Sequence, residues 1–332
     1  MRALAITTAL VALLLAPPAR AEAPLQLQGK IVLPDIIGRI DHLAFDSAHR
    51  RVFVAELGND SVGVVDLAQQ KLVRRLLHLK EPRGVGYVPA SDTLYVASAL
   101  DGVLRVFHGA ALTADAPIPL GPRLDDIRVD DAARLVYVGY GSGAIAVIDD
   151  RTHKPGAEIK LREHPENFAL AEGGKRMFVS VPAAQQVAVL DLAAGKVAAT
   201  WLLHDGRDNV ALGLDDDRVV TVFRRPPQLA ALSTKDGRTL ATLPACVDAD
   251  DLFVDPPRHR LYVICGEGKV DVLEWRDASY ARLGEVPTGP GARTGLFIPE
   301  LGELIVAVPA TPASAVTEAA PPNPAALFVF KP

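Results

Sequence analysis

One short run of apolar positions recurs along the whole chain. It reads Val52-Phe53-Val54, Leu94-Tyr95-Val96, Val136-Tyr137-Val138, Met177-Phe178-Val179, Val219-Val220-Thr221, Leu261-Tyr262-Val263 and Leu304-Ile305-Val306. The central residues of these copies lie 41 to 43 positions apart. Around each copy the polarity follows one plan. In the first, Leu43 to Phe45 is a short strand, Asp46 to Arg50 a turn and Val52 to Ala55 a second strand. The loop Gly58 to Ser61 leads to Val62 to Val65, and Lys71 to Leu77 completes the unit. Short Val-, Leu- and Tyr-rich runs punctuated by Gly, Asp and Pro read as strands, and no helical periodicity is sustained across them. Four strands per unit at this period is the signature of a propeller blade. The pattern predicts an all-β, seven-bladed propeller with four-stranded antiparallel blades.

The last unit supplies three strands, at Gly295 to Ile298, Leu304 to Val308 and Ala326 to Phe330, before the sequence ends at Pro332. Leu25 to Leu33 precedes the first unit and has no partner within it. It is expected to complete the seventh blade as its outer strand, which leaves no open edge at the seam.

Ahead of that strand, Arg2, an apolar run from Ala3 to Ala16 and the small-x-small triplet Ala19-Arg20-Ala21 read as a signal peptide cleaved after Ala21. A single propeller domain over residues 22–332, periplasmic or secreted, is the expectation. Loss of Arg2 and Arg20 would move the formal charge from −5 to −7. That balance argues against nucleic acid as a partner, no second apolar run is long enough for a membrane span, and a monomer is expected.

The Leu94-Tyr95-Val96-Ala97 and Val136-Tyr137-Val138-Gly139 cores are each followed by a polar loop and a Val-rich strand ending in Asp. With Val62 to Leu67 and Gln186 to Leu192, they resemble the YVTN-repeat propeller family over essentially all of residues 22–332. The position where that family often carries Asn here holds Glu56, Ser98, Tyr140, Val181, Phe223, Cys265 and Val308. The resemblance implies the fold and leaves the role open, because propellers serve many functions.

Register converts the repeat into an address. Twelve positions before each anchor stand Asp41, Arg83, Asp125, Glu166, Asp208, Asp250 and Arg293, and eleven before stand His42, Gly84, Asp126, Asn167, Asn209, Asp251 and Thr294. Both rows lead into the innermost strands, so they are expected to ring one mouth of the central channel, where closed β folds commonly place ligand sites. Asp41, His42, Glu56, Arg83, Asp126, Asn167, Asn209, Asp251 and Arg293 are the candidate ligand-binding residues. His164 and His204 are expected to flank the same mouth.

The bland reading of the ring is hydrogen bonding between blades. The principal functional reading is a non-catalytic site for a small ligand or a partner protein, with Arg83 and Arg293 able to grip an anion. A second is Ca²⁺ held by Asp126, Asn167, Asn209 and Asp251, serving a hydrolase, lactonase or lyase with His42 as proton acceptor. His42 reads more simply as a positioning residue paired with Asp41. A third class, an accessory of periplasmic redox or metal handling, is implied by the resemblance alone.

Asp46, Asp130, Asp215 and Asp255 fall in turns, where they are expected to cap backbone amides. Cys246 and Cys265 belong to one hairpin of the sixth unit, and an exported chain would join them as a disulfide. The insertion Pro309 to Pro324, rich in Ala, Pro and Thr, falls on the mouth face, where a lid is one reading of it.

Overall fold

A computed structural model describes residues 23–215, 217–276, 279–311 and 323–332. The expected leader and most of the 309–324 insertion lie outside the described residues. Within them the seven-unit prediction holds, with one irregular outer strand. Strands are lettered a to d from the channel outward. Blade one is Leu43–Asp46, Arg51–Glu56, Ser61–Asp66 and Lys71–Leu77. Blades three to six repeat the order, beginning at Ile127–Asp130, Phe168–Ala171, Arg207–Asp215 and Ala249–Asp255.

The seam closes as expected. Gln26–Leu33 lies antiparallel to Ala325–Lys331, with Ile31 opposite Leu327, and forms the outer strand of blade seven. Blade two departs from the plan. Its outer strand is broken into Thr113–Ala114 and Ile118–Pro119, each pairing with strand c, Val103–His108.

Burial explains the hydrophobic pattern. Strand b is covered on both faces by neighbouring blades, so it reads as a continuous apolar run, as buried strands do. The anchors Phe53, Tyr95, Tyr137, Phe178, Val220, Tyr262 and Ile305 are all 2% exposed or less. Strand d faces water on one side and carries the charge, as in Lys71–Leu77 with Arg74 and Arg75.

The turn aspartates do more than cap. Asp46 accepts from the His49 amide at 2.9 Å and also holds the Arg51 guanidinium, with Nε at 2.8 Å. Asp150 and Asp255 accept from the phenols of Tyr95 and Tyr262 at 2.9 and 2.7 Å, and Asp215 from that of Tyr280 at 2.6 Å. A buried phenol needs such a partner, so these aspartates satisfy the polar ends of core tyrosines.

At the other end of the strands, backbones converge on the channel. A Cβ at Gly84 would stand 2.1 Å from the carbonyl oxygen of Asp125. Only glycine lets strand a of blade two pass this close to the approach to blade three. Gly84→Ala is expected to cost about 2 kcal/mol, the scale of overpacking, read from urea denaturation midpoints. An unchanged midpoint would show that the Asp125 segment yields freely.

Candidate functional site

The mouth has two tiers. The lower tier closes one end of a channel of about 410 Å³ whose walls are Leu43, Val85, Ile127, Leu252 and other strand-a side chains. At its centre sits His42. Its Nε2 lies 3.7 Å from Asp41 Oδ1 and 4.0 Å from Asp126 Oδ1, and its Nδ1 lies 3.9 Å from Asp251 Oδ1. The three carboxylates come from blades one, three and six, so the imidazole bridges the ring. Burial alone would lower its pKa, but Asp126, Asp41 and Asp251 outweigh that and lift it to about 9. His42 is therefore an imidazolium near neutral pH. Burial raises the Asp251 carboxyl to about 6, with His42 opposing, and raises Asp41 against His42 and Arg39.

Two arginines complete the tier. Arg128 hydrogen-bonds Asp126 Oδ1 and donates to Asn167 Oδ1 at 3.1 Å. Arg39 lies 3.2 Å from Asp41 Oδ2 and 3.5 Å from Asp250 Oδ2. Asp251 accepts from the Gly295 amide at 2.9 Å and, among the described residues, has no arginine within ion-pair distance, Arg128 acting on it from farther off. His42, Arg128 and Arg39 thus face Asp41, Asp126 and Asp251, while Asp250, which Arg39 also reaches, is paired with Arg224 at 2.6 Å.

The four residues expected to hold Ca²⁺ do not form a cage for it. Asp126 and Asn167 are tied to Arg128, and Asn209 is turned between blades, its Nδ2 donating to Ser180 Oγ at 2.8 Å and Gln186 O at 3.1 Å. The His42 ring lies between Asp126 and Asp251. Glu56 also stands apart from the ring: its Oε2 accepts from Arg75 Nε at 2.7 Å, within blade one.

The upper tier opens beside blades two to four. A cavity of about 340 Å³ is lined by Glu81, Arg83, Arg123, Asp125, His164 and Glu166. His164, expected only to flank the mouth, is central here. Its Nδ1 donates to Gly141 O at 2.8 Å and its Nε2 lies 3.3 Å from Asp125 Oδ2. The same oxygen is 3.6 Å from Arg83 Nη1. Burial works to raise the Asp125 carboxyl, but His164 and Arg83 hold it below the usual range. Burial, with Asp125 adding to it, raises Glu166 to about 7.

The two candidate arginines differ in commitment. Arg293 is engaged by Asp248, with Nη2 to Oδ2 at 2.9 Å, and Arg224 lies on Asp248 as well, at 3.4 Å. Among the described residues Arg83 has one ion-pair contact, the longer one to Asp125, and it lines the cavity. Arg39, Asp125, Arg128 and Glu166 are site residues outside the candidate set. Asp125 and Glu166 stand in the aligned row, whereas the two arginines lie outside both rows.

No family model matches the chain. Over 239 residues it is 24% identical to the uncharacterized protein YncE of Salmonella typhimurium and 23% identical to that of Salmonella typhi. Each match covers 64% of this chain and 65% of the relative's length. A chain of Kuenenia stuttgartiensis hydrazine synthase superposes over 85% of this chain and 95% of its own, with a TM-score of 0.66 and 17% identity. A chain of the mitotic checkpoint complex does so over 98% and 99%, with a TM-score of 0.76 and 14% identity. These likenesses establish the propeller fold and carry no activity with them. Among the described residues no helix is long and apolar enough to cross a membrane.

Proposed function

We propose that this chain is an exported propeller that binds a small molecule at the mouth, in the cavity between Arg83 and the Asp125–His164–Glu166 wall, without transforming it. The observation that carries this reading is that a partly exposed guanidinium, in loose contact with Asp125, lines a cavity of small-molecule size together with His164 and Glu166. Arg83 suits a carboxylate or another anionic group, and Asp125 and Glu166 suit an ammonium or hydroxyl on the same molecule. The lower tier, charge-balanced and built into the channel end, serves as a rigid floor. Small zwitterions and hydroxy acids are therefore the class to test.

Calorimetric titration with a panel of amino acids and hydroxy acids should find a binder that Arg83→Ala weakens by about tenfold or more, the worth of one charged hydrogen bond. Arg293→Ala, whose guanidinium is held by Asp248, should leave that affinity nearly unchanged. For a ligand whose ammonium faces Glu166, affinity should rise as pH rises through about 7, where Glu166 loses its proton. A binder indifferent to Arg83, or a soaked crystal with the ligand elsewhere, would refute the assignment.

A further inference from the structure

Outside the mouth, the break in the outer strand of blade two has a chemical consequence. Asp115 stands in the break, between Thr113–Ala114 and Ile118–Pro119, and its amide still bonds Val106 O at 2.9 Å. There its Oδ1 accepts from the Ala116 amide at 2.7 Å, while Oδ2 lies 3.1 Å from His108 Nε2. His153, from the turn before strand d of blade three, sets its ring edge-on to that of His108, with centroids 5.0 Å apart. One donor atom from each of His108, Asp115 and His153 lies within 4.8 Å of the other two.

Hydrogen bonding fixes both imidazoles. The Tyr95 hydroxyl donates to Asp150 Oδ1 at 2.9 Å, and Asp150 is itself anchored by Arg134 Nε at 2.6 Å. The phenolic oxygen is thus an acceptor for His153 Nδ1–H, at 3.1 Å. Thr93 Oγ1 donates to Ser91 O at 3.2 Å and lies 3.1 Å from His108 Nδ1. With Nδ1 of each ring occupied by a hydroxyl partner, Nε2 is the nitrogen left for a further ligand. For His108 that nitrogen faces a carboxylate oxygen at 3.1 Å, so the two can ligate one ion. An Nδ1–H held by an outer partner is how metal-binding histidines are commonly oriented.

We propose that His108, His153 and Asp115 form a site for a divalent first-row transition metal, two imidazoles and one carboxylate being a donor set suited to Zn²⁺ or Co²⁺. The three side chains are partly or well exposed, so solvent or a further ligand can fill the remaining coordination positions. This site is on a different part of the molecule from the mouth cavity and does not depend on what binds there.

The test is titration of the untagged, metal-stripped protein with Zn²⁺ by calorimetry and with Co²⁺ by visible absorption. One equivalent should bind. His153→Ala and Asp115→Asn, each checked for an unchanged circular dichroism spectrum, should each weaken it by at least about tenfold, on the scale known for perturbed metal sites. His164→Ala, at one of the two other histidine–carboxylate clusters among the described residues, should leave it unchanged. Failure to bind an equivalent of Zn²⁺, or binding that survives His153→Ala or is lost in His164→Ala, would overturn the assignment.

Discussion

Replacing His42 by alanine is expected to cost ~3 kcal/mol of folding stability near neutral pH, the scale of breaking a buried ion pair. The cost comes from what remains. Arg128 still neutralises Asp126 and Arg39 still lies on Asp41, but Asp251 is left with the Gly295 amide and the more distant charge of Arg128. A buried carboxylate without a counter-charge is expensive, and taking up a proton is its way out.

The pH dependence separates charge from packing. The folded pKa of His42, about 9, stands above its ordinary value of 6.5. Its contribution is therefore fully present below about 6.5 and is lost as pH rises through about 9. Asp251 is also raised, from 3.8 to about 6, so its contribution is complete below 3.8 and fades as pH rises through about 6. Below that point Asp251 is neutral in the variant and the missing imidazolium matters less. Above about 9 the imidazole of the parent protein has itself lost its charge. The difference between parent and variant should therefore peak between about 6 and about 9, in urea midpoints collected across that range. His42→Gln, which keeps bulk and removes charge, should show the same peak. A penalty that does not vary with pH would mean that His42 fills space and does not balance the ring.

How much of this was legible in the sequence depends on which interactions follow a register. The anchors are spaced regularly because each fills the same place in strand b, so counting finds all seven blades and the closing strand. The two polar rows are likewise real neighbours of the mouth: His42 does meet Asp126 and Asp251. Counting does not fix where each side chain is aimed. Asn209 and Asp251 share a row and each borders a register shift in strand a, yet Asn209 turns to Ser180 whereas Asp251 meets His42. Glu56 was misjudged for another reason. Its partner Arg75 is on strand d of the same blade, and pairing between strands leaves no mark in the linear spacing. Arg128 lies two positions beyond Asp126, within strand a and among apolar neighbours. A charge inside an otherwise apolar inner strand was the available signal for it.

Removal of the Cys246–Cys265 link is the other change expected to cost about 3 kcal/mol. The two residues are 19 apart in sequence with Cα atoms 5.9 Å apart, and closing a loop of that size restricts the unfolded chain by roughly this amount. Both cysteines are buried, at 2% and 0% exposure, against Ala249, Leu252 and Val263. Cys246→Ala with Cys265→Ala thus removes the bond without leaving a polar group in an apolar cluster. The location matters as much as the energy. The bond ties the approach to blade six onto its strand b, and the tied segment carries Asp248, Asp250 and Asp251. Those residues anchor Arg224 and Arg293 and receive His42. The double variant, or the parent protein in reductant, should unfold at lower denaturant. Hydrogen exchange should speed up first at residues 246–251, ahead of the other blades. Oxidised protein should show no thiol that labels after denaturation. A labelled thiol there would refute the bond, and a loss of stability spread evenly over all blades would deny it a role in holding the mouth.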